Sequence, residues 1–103
     1  MAEVIRGTEV KFNLNIEPIG DVHMSSYDFM VTAYCAGTSQ KVAIQKSDCV
    51  KVDDDNYTLP VDTSALGTGQ LMLDVRAYIP DTDFPDSTRT EIVRLETDIE
   101  VIS

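Results

Sequence analysis

Residues 10–17 have the sequence VKFNLNIE, and this stretch decides the fold. Every second residue in it is apolar, and each apolar residue is followed by a polar or charged one. A period of two places one set of side chains on a buried face and the other set in water, as in a half-buried strand. A helix would spread the same apolar side chains around its whole circumference. The stretch therefore predicts a β-strand.

The same alternation recurs along the whole chain. Further strands are predicted at residues 27–36, 41–45, 50–52, 57–61, 71–77 and 93–101. The segments at 41–45 and 50–52 are short and weakly apolar, which is typical of strands at sheet edges. Pro60 places its strand at an edge as well, because proline cannot donate a hydrogen bond to a ladder.

Turn-forming residues separate the strands, and no amphipathic helix is indicated. The turns are predicted at residues 18–21, 36–39, 53–56, 64–69 and 81–89. Six to seven strands so arranged predict an all-β protein, an antiparallel immunoglobulin-like β-sandwich that forms one domain over residues 1–103. A small barrel is the alternative, since both folds have this pattern. Antibody hallmarks are missing, because the chain has no tryptophan and its two cysteines lie close together in sequence.

Composition and charge exclude several classes of function. The chain has 103 residues with 18 acidic against 8 basic residues, a formal charge of −10. Direct binding to nucleic acid or to an anionic membrane is disfavoured, because both need clustered Lys or Arg and no two basic residues are adjacent. The uncharged stretch at residues 30–40 is too short for a membrane helix. The first residues lack the pattern of a secretory signal, so we expect synthesis in the cytoplasm.

The cysteines and the histidine do not form a catalytic pattern. Cys35 shares the predicted inner face of its strand with Phe29 and Val31, so we expect a buried thiol. Both Cys35 and Cys49 are predicted to be free. His23 lies in a polar loop and is expected to be solvated. We predict no catalytic residue, no cofactor and no enzymatic activity.

Acidic residues cluster at 53–55 and again at 81–86. Carboxylates closely spaced on a loop suit calcium, but the order of ligands in an EF-hand is absent, so incidental acids are favoured over a metal site. Paired carboxylates could also hydrolyse glycosides. A glycoside hydrolase is disfavoured, because the chain has no tryptophan platform for sugars and is too small for a deep cleft.

The remaining candidate is a surface for protein contact. Aromatic side chains beside charged ones suit such contact, because they bury area at modest entropic cost. The predicted interaction surface consists of Tyr78, Asp81, Asp83, Phe84, Asp86 and Arg89. The expected partner is another protein or a second copy of the chain, held through this loop or through a sheet edge between residues 40 and 61.

Residues in three segments carry a resemblance to a known family: Arg6-Gly7-Thr8 leading into Phe12 and Leu14; Asp62-Thr63 with Leu66-Gly67 and Gly69; and Ala77 to Asp86 with Arg89. The chain resembles the immunoglobulin-like domains of phage and prophage structural proteins, particularly the N-terminal domain of baseplate upper proteins. The resemblance implies a non-enzymatic, virion-associated part of a tail or baseplate. Ser87 departs from it, since glycine would make a freer turn there. A surface adhesive or ligand-binding module for carbohydrate or calcium is the alternative.

Overall fold

The computed structural model describes residues 1–20 and 22–103; Asp21, at the end of the predicted turn 18–21, lies outside the described residues. The strands are β1 (Ala2–Ile5), β2 (Glu9–Leu14), β3 (Asp28–Cys35), β4 (Lys41–Gln45), β5 (Val50–Asp53), β6 (Asn56–Asp62), β7 (Gly69–Pro80) and β8 (Thr88–Ile102). Short 3-10 turns lie at Met24–Ser26, Lys46–Asp48, Thr63–Ala65 and Pro85–Ser87. No helical segment in this described part has the length and hydropathy of a transmembrane helix.

The strands form two sheets, in the orders β1-β8-β7-β3-β4 and β2-β6-β5. Two packed sheets of this kind form a β-sandwich, and the five-stranded sheet is mixed rather than purely antiparallel, because β1 pairs in parallel with β8. The predicted β-sandwich is confirmed. The structure adds β1, a strand of four residues that runs parallel to the end of β8. Four residues are too few for alternation to stand out, so the sequence did not indicate this strand.

The inner faces of the two sheets bury the alternating apolar residues. Phe29 lies at the centre, and its ring packs edge-on against Tyr57 with ring centroids 5.3 Å apart. Cys35 is buried, as predicted, and both cysteines are free. The other fully buried large side chains are Leu14, Met24, Leu59, Leu66, Leu71, Ile79, Val31, Val61, Val75 and Val101.

A buried threonine ties down the chain where it crosses from one sheet to the other. Thr63 has no exposed surface. Its hydroxyl donates to the carbonyl oxygen of Thr8 (2.7 Å) and accepts from the backbone N–H of Gly7 (2.9 Å). Gly7 and Thr8 form the link between β1 and β2. Two segments of the family resemblance, residues 6–8 and 62–69, thus meet at this corner, where their role is to hold the sandwich together.

The edge prediction for Pro60 is wrong as to strand order, because β6 lies between β2 and β5. Pairing with β5 stops at Thr58, however, so Pro60 lies beyond the end of that ladder. Its missing N–H therefore falls on the half of β6 that β5 does not reach. The edge positions predicted for residues 41–45 and 50–52 are confirmed, since β4 and β5 each end a sheet.

Candidate interaction surfaces

One side of the sandwich is open because β5 is shorter than β6. The ladder between them pairs Val50 with Thr58, Lys51 with Tyr57 and Asp53 with Asn56. Residues 59–62 of β6 continue past it, paired to β2 but to no second strand of the described chain. β4 ends the other sheet, paired only to β3 among the described strands. Two unpaired strand edges thus flank one opening.

An apolar groove of about 540 Å³ lies in this opening, and we call it the β4–β6 groove. Ile44 and Val61 are buried, and Val42 and Val10 are half-buried. Charged and ring side chains complete the lining: Glu9, Lys11, Asp48, Pro60 and Asp62. Because apolar inner-face residues stay partly open to solvent here, the groove can receive side chains from outside the molecule.

Negative charge predominates in the lining of the groove. Glu9 and Asp62 are direct cross-strand partners in the β2–β6 ladder, which places like charges side by side. Asp62 also accepts the backbone N–H of Ser64 (2.9 Å), and this bond lowers the pKa of its carboxyl. Asp48 accepts the backbone N–H of Gln45 (3.0 Å) at the end of β4. Three carboxylates therefore line the groove, and Lys11 is the single basic residue among the lining residues.

The predicted loop surface divides into a structural part and an exposed part. Arg89 and Asp81 form a half-buried ion pair with an N–O distance of 2.7 Å. Arg89 also pairs with Glu91 (3.0 Å) and donates to the carbonyl oxygen of Ile19 (2.8 Å). These bonds close the base of the β7–β8 loop and fasten it to the β2–β3 loop. The charges of Arg89 and Asp81 are thus satisfied within the chain.

The tip of the β7–β8 loop holds the exposed part of that surface. Asp83 and Asp86 are exposed, and 47% of Phe84 is accessible. Tyr78 is half-buried on the outer face of β7. Asp86 and Ser87 both have positive φ, at 61° and 55°, where L residues are strained. The structure therefore brings Asp83, Phe84 and Asp86 together in a tight turn, with Tyr78 on the adjoining sheet face.

The two thiols and the histidine differ in exposure and in surroundings. Burial raises the pKa of the Cys35 thiol, so little thiolate forms, and the side chain has no access to a substrate. Burial together with Asp48 raises the pKa of the Cys49 thiol. The His23 side chain is 60% exposed, as predicted, and its Nδ1 lies 2.9 Å from a carboxylate oxygen of Asp55.

The acidic loops are engaged in local hydrogen bonds. Asp53 accepts from the side-chain amide of Asn56 (2.8 Å) and from the backbone N–H of Asp55 (2.9 Å). Asp81 is committed to Arg89. Within residues 1–20 and 22–103, no group of three or more His, Cys, Asp or Glu side chains is placed to hold a metal ion.

The sequence predicts a short edge strand at residues 41–45 but does not predict the groove that Val42 and Ile44 of this strand line. That groove depends on where β5 ends relative to β6, and a difference of a few residues in strand length leaves no mark in the alternation. The one local signal was Pro60, which fits poorly in a fully paired strand.

Comparison with protein-family models, with curated proteins and with solved structures finds no match to this chain.

Proposed function

We propose that this chain is a non-enzymatic interaction module that accepts an extended segment of a partner protein at the β4–β6 groove. The observation that carries the proposal is the pair of unpaired strand edges, β4 and residues 59–62 of β6, on either side of an apolar groove. Added strands gain main-chain hydrogen bonds at an edge and specificity from alternate side chains that enter a groove. Both elements are present at this one place.

The absence of enzymatic activity is part of the same proposal. Catalysis needs a nucleophile or base with access to substrate and a pKa suited to its task. Cys35 is buried and its pKa is raised, and the exposed His23 lies on a loop beside Asp55. The acids of the β7–β8 loop are either bound to Arg89 or open to water. A docking role uses the exposed features of the molecule and requires none of these groups to react.

The phage or prophage setting is proposed from the family resemblance alone. In that setting the partner is a tail or baseplate component, and the module joins it to the assembly. The exposed tip with Phe84 would then be a secondary contact.

A photo-crosslinking amino acid at Ala43, an exposed position of β4, tests the proposal in the producing cell. The same amino acid at Thr90, an exposed position of β8, is the matched control. We expect a discrete adduct from position 43, none from position 90, and a phage structural protein as the adduct identified by mass spectrometry.

Other outcomes separate the parts of the proposal. A discrete adduct with a protein unrelated to phage particles would contradict the setting and retain the interaction module. The same amino acid at the exposed Phe84 probes the loop: adducts from position 84 and none from position 43 would move the contact to the loop and overturn strand addition. No adduct from any of the three positions would contradict the docking function.

A further inference from the structure

We infer that the segment bound in the β4–β6 groove is a basic strand: an extended stretch with Lys or Arg at alternate positions and Val- or Ile-sized side chains between them, paired to β4. This inference rests on the proposed function and specifies its partner. It follows from which edge is free to pair, from the shape of the groove, and from its charge.

β4 is a sheet edge with few obstacles to a new strand. Edges are commonly protected by inward-pointing charges or by bulges. β8, which β1 leaves uncovered at residues 88–98, has both: Arg89 and Glu91 are half-buried within its alternating inner row, and its register with β7 shifts between Gln70 and Met72. β5 has four residues and a register shift after Lys51.

The inner row of β4, in contrast, consists of Val42 and Ile44, and its pairing with β3 is regular over all five residues. Across the groove, Pro60 deprives β6 of one backbone donor. A second groove of about 440 Å³ lies between β2 and β8, but one of its walls is the protected edge of β8. The structure therefore favours main-chain pairing on β4.

The groove selects for apolar side chains at every second position of the added strand. Successive side chains of a strand point to opposite faces, so residues i and i+2 would enter between Val42 and Val10 while residue i+1 stays outside. The volume of about 540 Å³ is within the range of clefts that bind small ligands. Side chains of Val or Ile size would cover the exposed parts of these two valines.

Charge selects for basic residues at the positions between. Glu9, Asp62 and Asp48 are exposed at the rim of the groove, where side chains that stay outside it can reach them, and Lys11 is the one basic lining residue. Among the described residues, none of these three carboxylates forms an ion pair, and Glu9 and Asp62 repel each other across the ladder. A Lys or Arg from the partner would relieve that repulsion. A second copy of the chain is disfavoured as the partner, because each copy carries a formal charge of −10.

Two synthetic heptapeptides test the inference on the full isotope-labelled chain by amide NMR titration. One alternates Lys with Val and the other alternates Glu with Val. We expect the basic peptide to bind, with shifts concentrated at residues 41–45 and 59–62, and the acidic peptide not to bind. Glu9→Gln should weaken binding of the basic peptide about two- to fivefold, because it removes one solvent-exposed ion pair between Glu9 and a lysine of the peptide.

Val42→Asp should abolish binding by placing a charge inside the groove, although it adds attraction for a basic peptide. Ala43→Asp adds the same charge on the outer face of β4 and should retain binding. If Val42→Asp does not give a folded spectrum, the inference is tested by which residues shift in the titration of the unmodified chain and by the effect of Glu9→Gln.

Equal binding of both peptides at β4 would overturn the basic-strand inference and leave strand addition intact. Shifts confined to residues 81–87 would overturn the inference and the groove as the docking site. Absence of binding by either peptide would overturn the inference, while an adduct from position 43 would still support the interaction module.

Discussion

Replacing Thr63 by Val removes one hydroxyl at the corner that joins the two sheets, with almost no change in shape. Two hydrogen bonds are lost: the one donated to Thr8 O and the one accepted from Gly7 N–H. Each such bond contributes about 1 kcal/mol, and a partner left unsatisfied costs about 1–3 kcal/mol. Thr8 O keeps a long bond of 3.3 Å from the backbone N–H of Thr63, which limits the loss. We expect a free energy of unfolding lower by about 2 kcal/mol.

Urea unfolding followed by circular dichroism measures this change, because the chain has no tryptophan for fluorescence. The melting temperature should fall by roughly 8–16 °C, the usual equivalent for a domain of this size. Thr58→Val is the matched control, since Thr58 is half-buried on β6, and its unfolding free energy should stay within about 0.5 kcal/mol of the parent. A Thr63→Val protein as stable as the Thr58→Val protein would refute the assignment of this corner as the clasp between the sheets.

Three further changes test other parts of the fold. Ser87→Gly should raise the unfolding free energy by about 0.5–1 kcal/mol, because glycine adopts φ 55° without strain. Thermal unfolding measures this gain, and the control Ser47→Gly, in the Lys46–Asp48 turn, should show none. Lys46→Met should cost about 2 kcal/mol in urea unfolding, because the ammonium donates to three backbone carbonyl oxygens at 2.7–3.3 Å; a loss below about 0.5 kcal/mol would contradict this role. The Arg94 guanidinium lowers the pKa of the Asp74 carboxyl in the folded state. The ionised carboxyl therefore stabilises the fold at pH values above the unfolded-state pKa of Asp74. This stabilisation is lost as the pH falls through the lowered pKa of the folded state. Unfolding curves should therefore show Asp74→Asn losing less stability than the parent below about pH 4, and identical pH profiles would disprove the coupling.

The sandwich could be predicted from the sequence because the pattern that indicates a strand lies within each strand and recurs along the chain. Alternation of apolar and polar residues marks each long strand without reference to any other. β1 escaped detection because it has four residues and owes its place to pairing with β8. The edge position predicted from Pro60 is wrong, because the strand order that puts β6 between β2 and β5 is a long-range property.

The candidate sites were less predictable, because they depend on contacts far apart in sequence. Asp81 and Arg89 were expected on a contact surface, but the structure pairs them with each other and ties Arg89 to Ile19, 70 residues away. Phe84 lies exposed at the loop tip, as expected from its polar surroundings. The β4–β6 groove follows from the lengths of three strands, and no single stretch of sequence contains that comparison.

Amide hydrogen exchange of the chain bound to the partner crosslinked from position 43 tests whether, as proposed, a partner strand pairs with β4. If it does, exchange slows at residues 41–45 and 59–62 while the loop at residues 81–87 exchanges as it does in the free chain. Unchanged exchange at residues 41–45, with protection confined to the loop or to β8, would contradict that pairing.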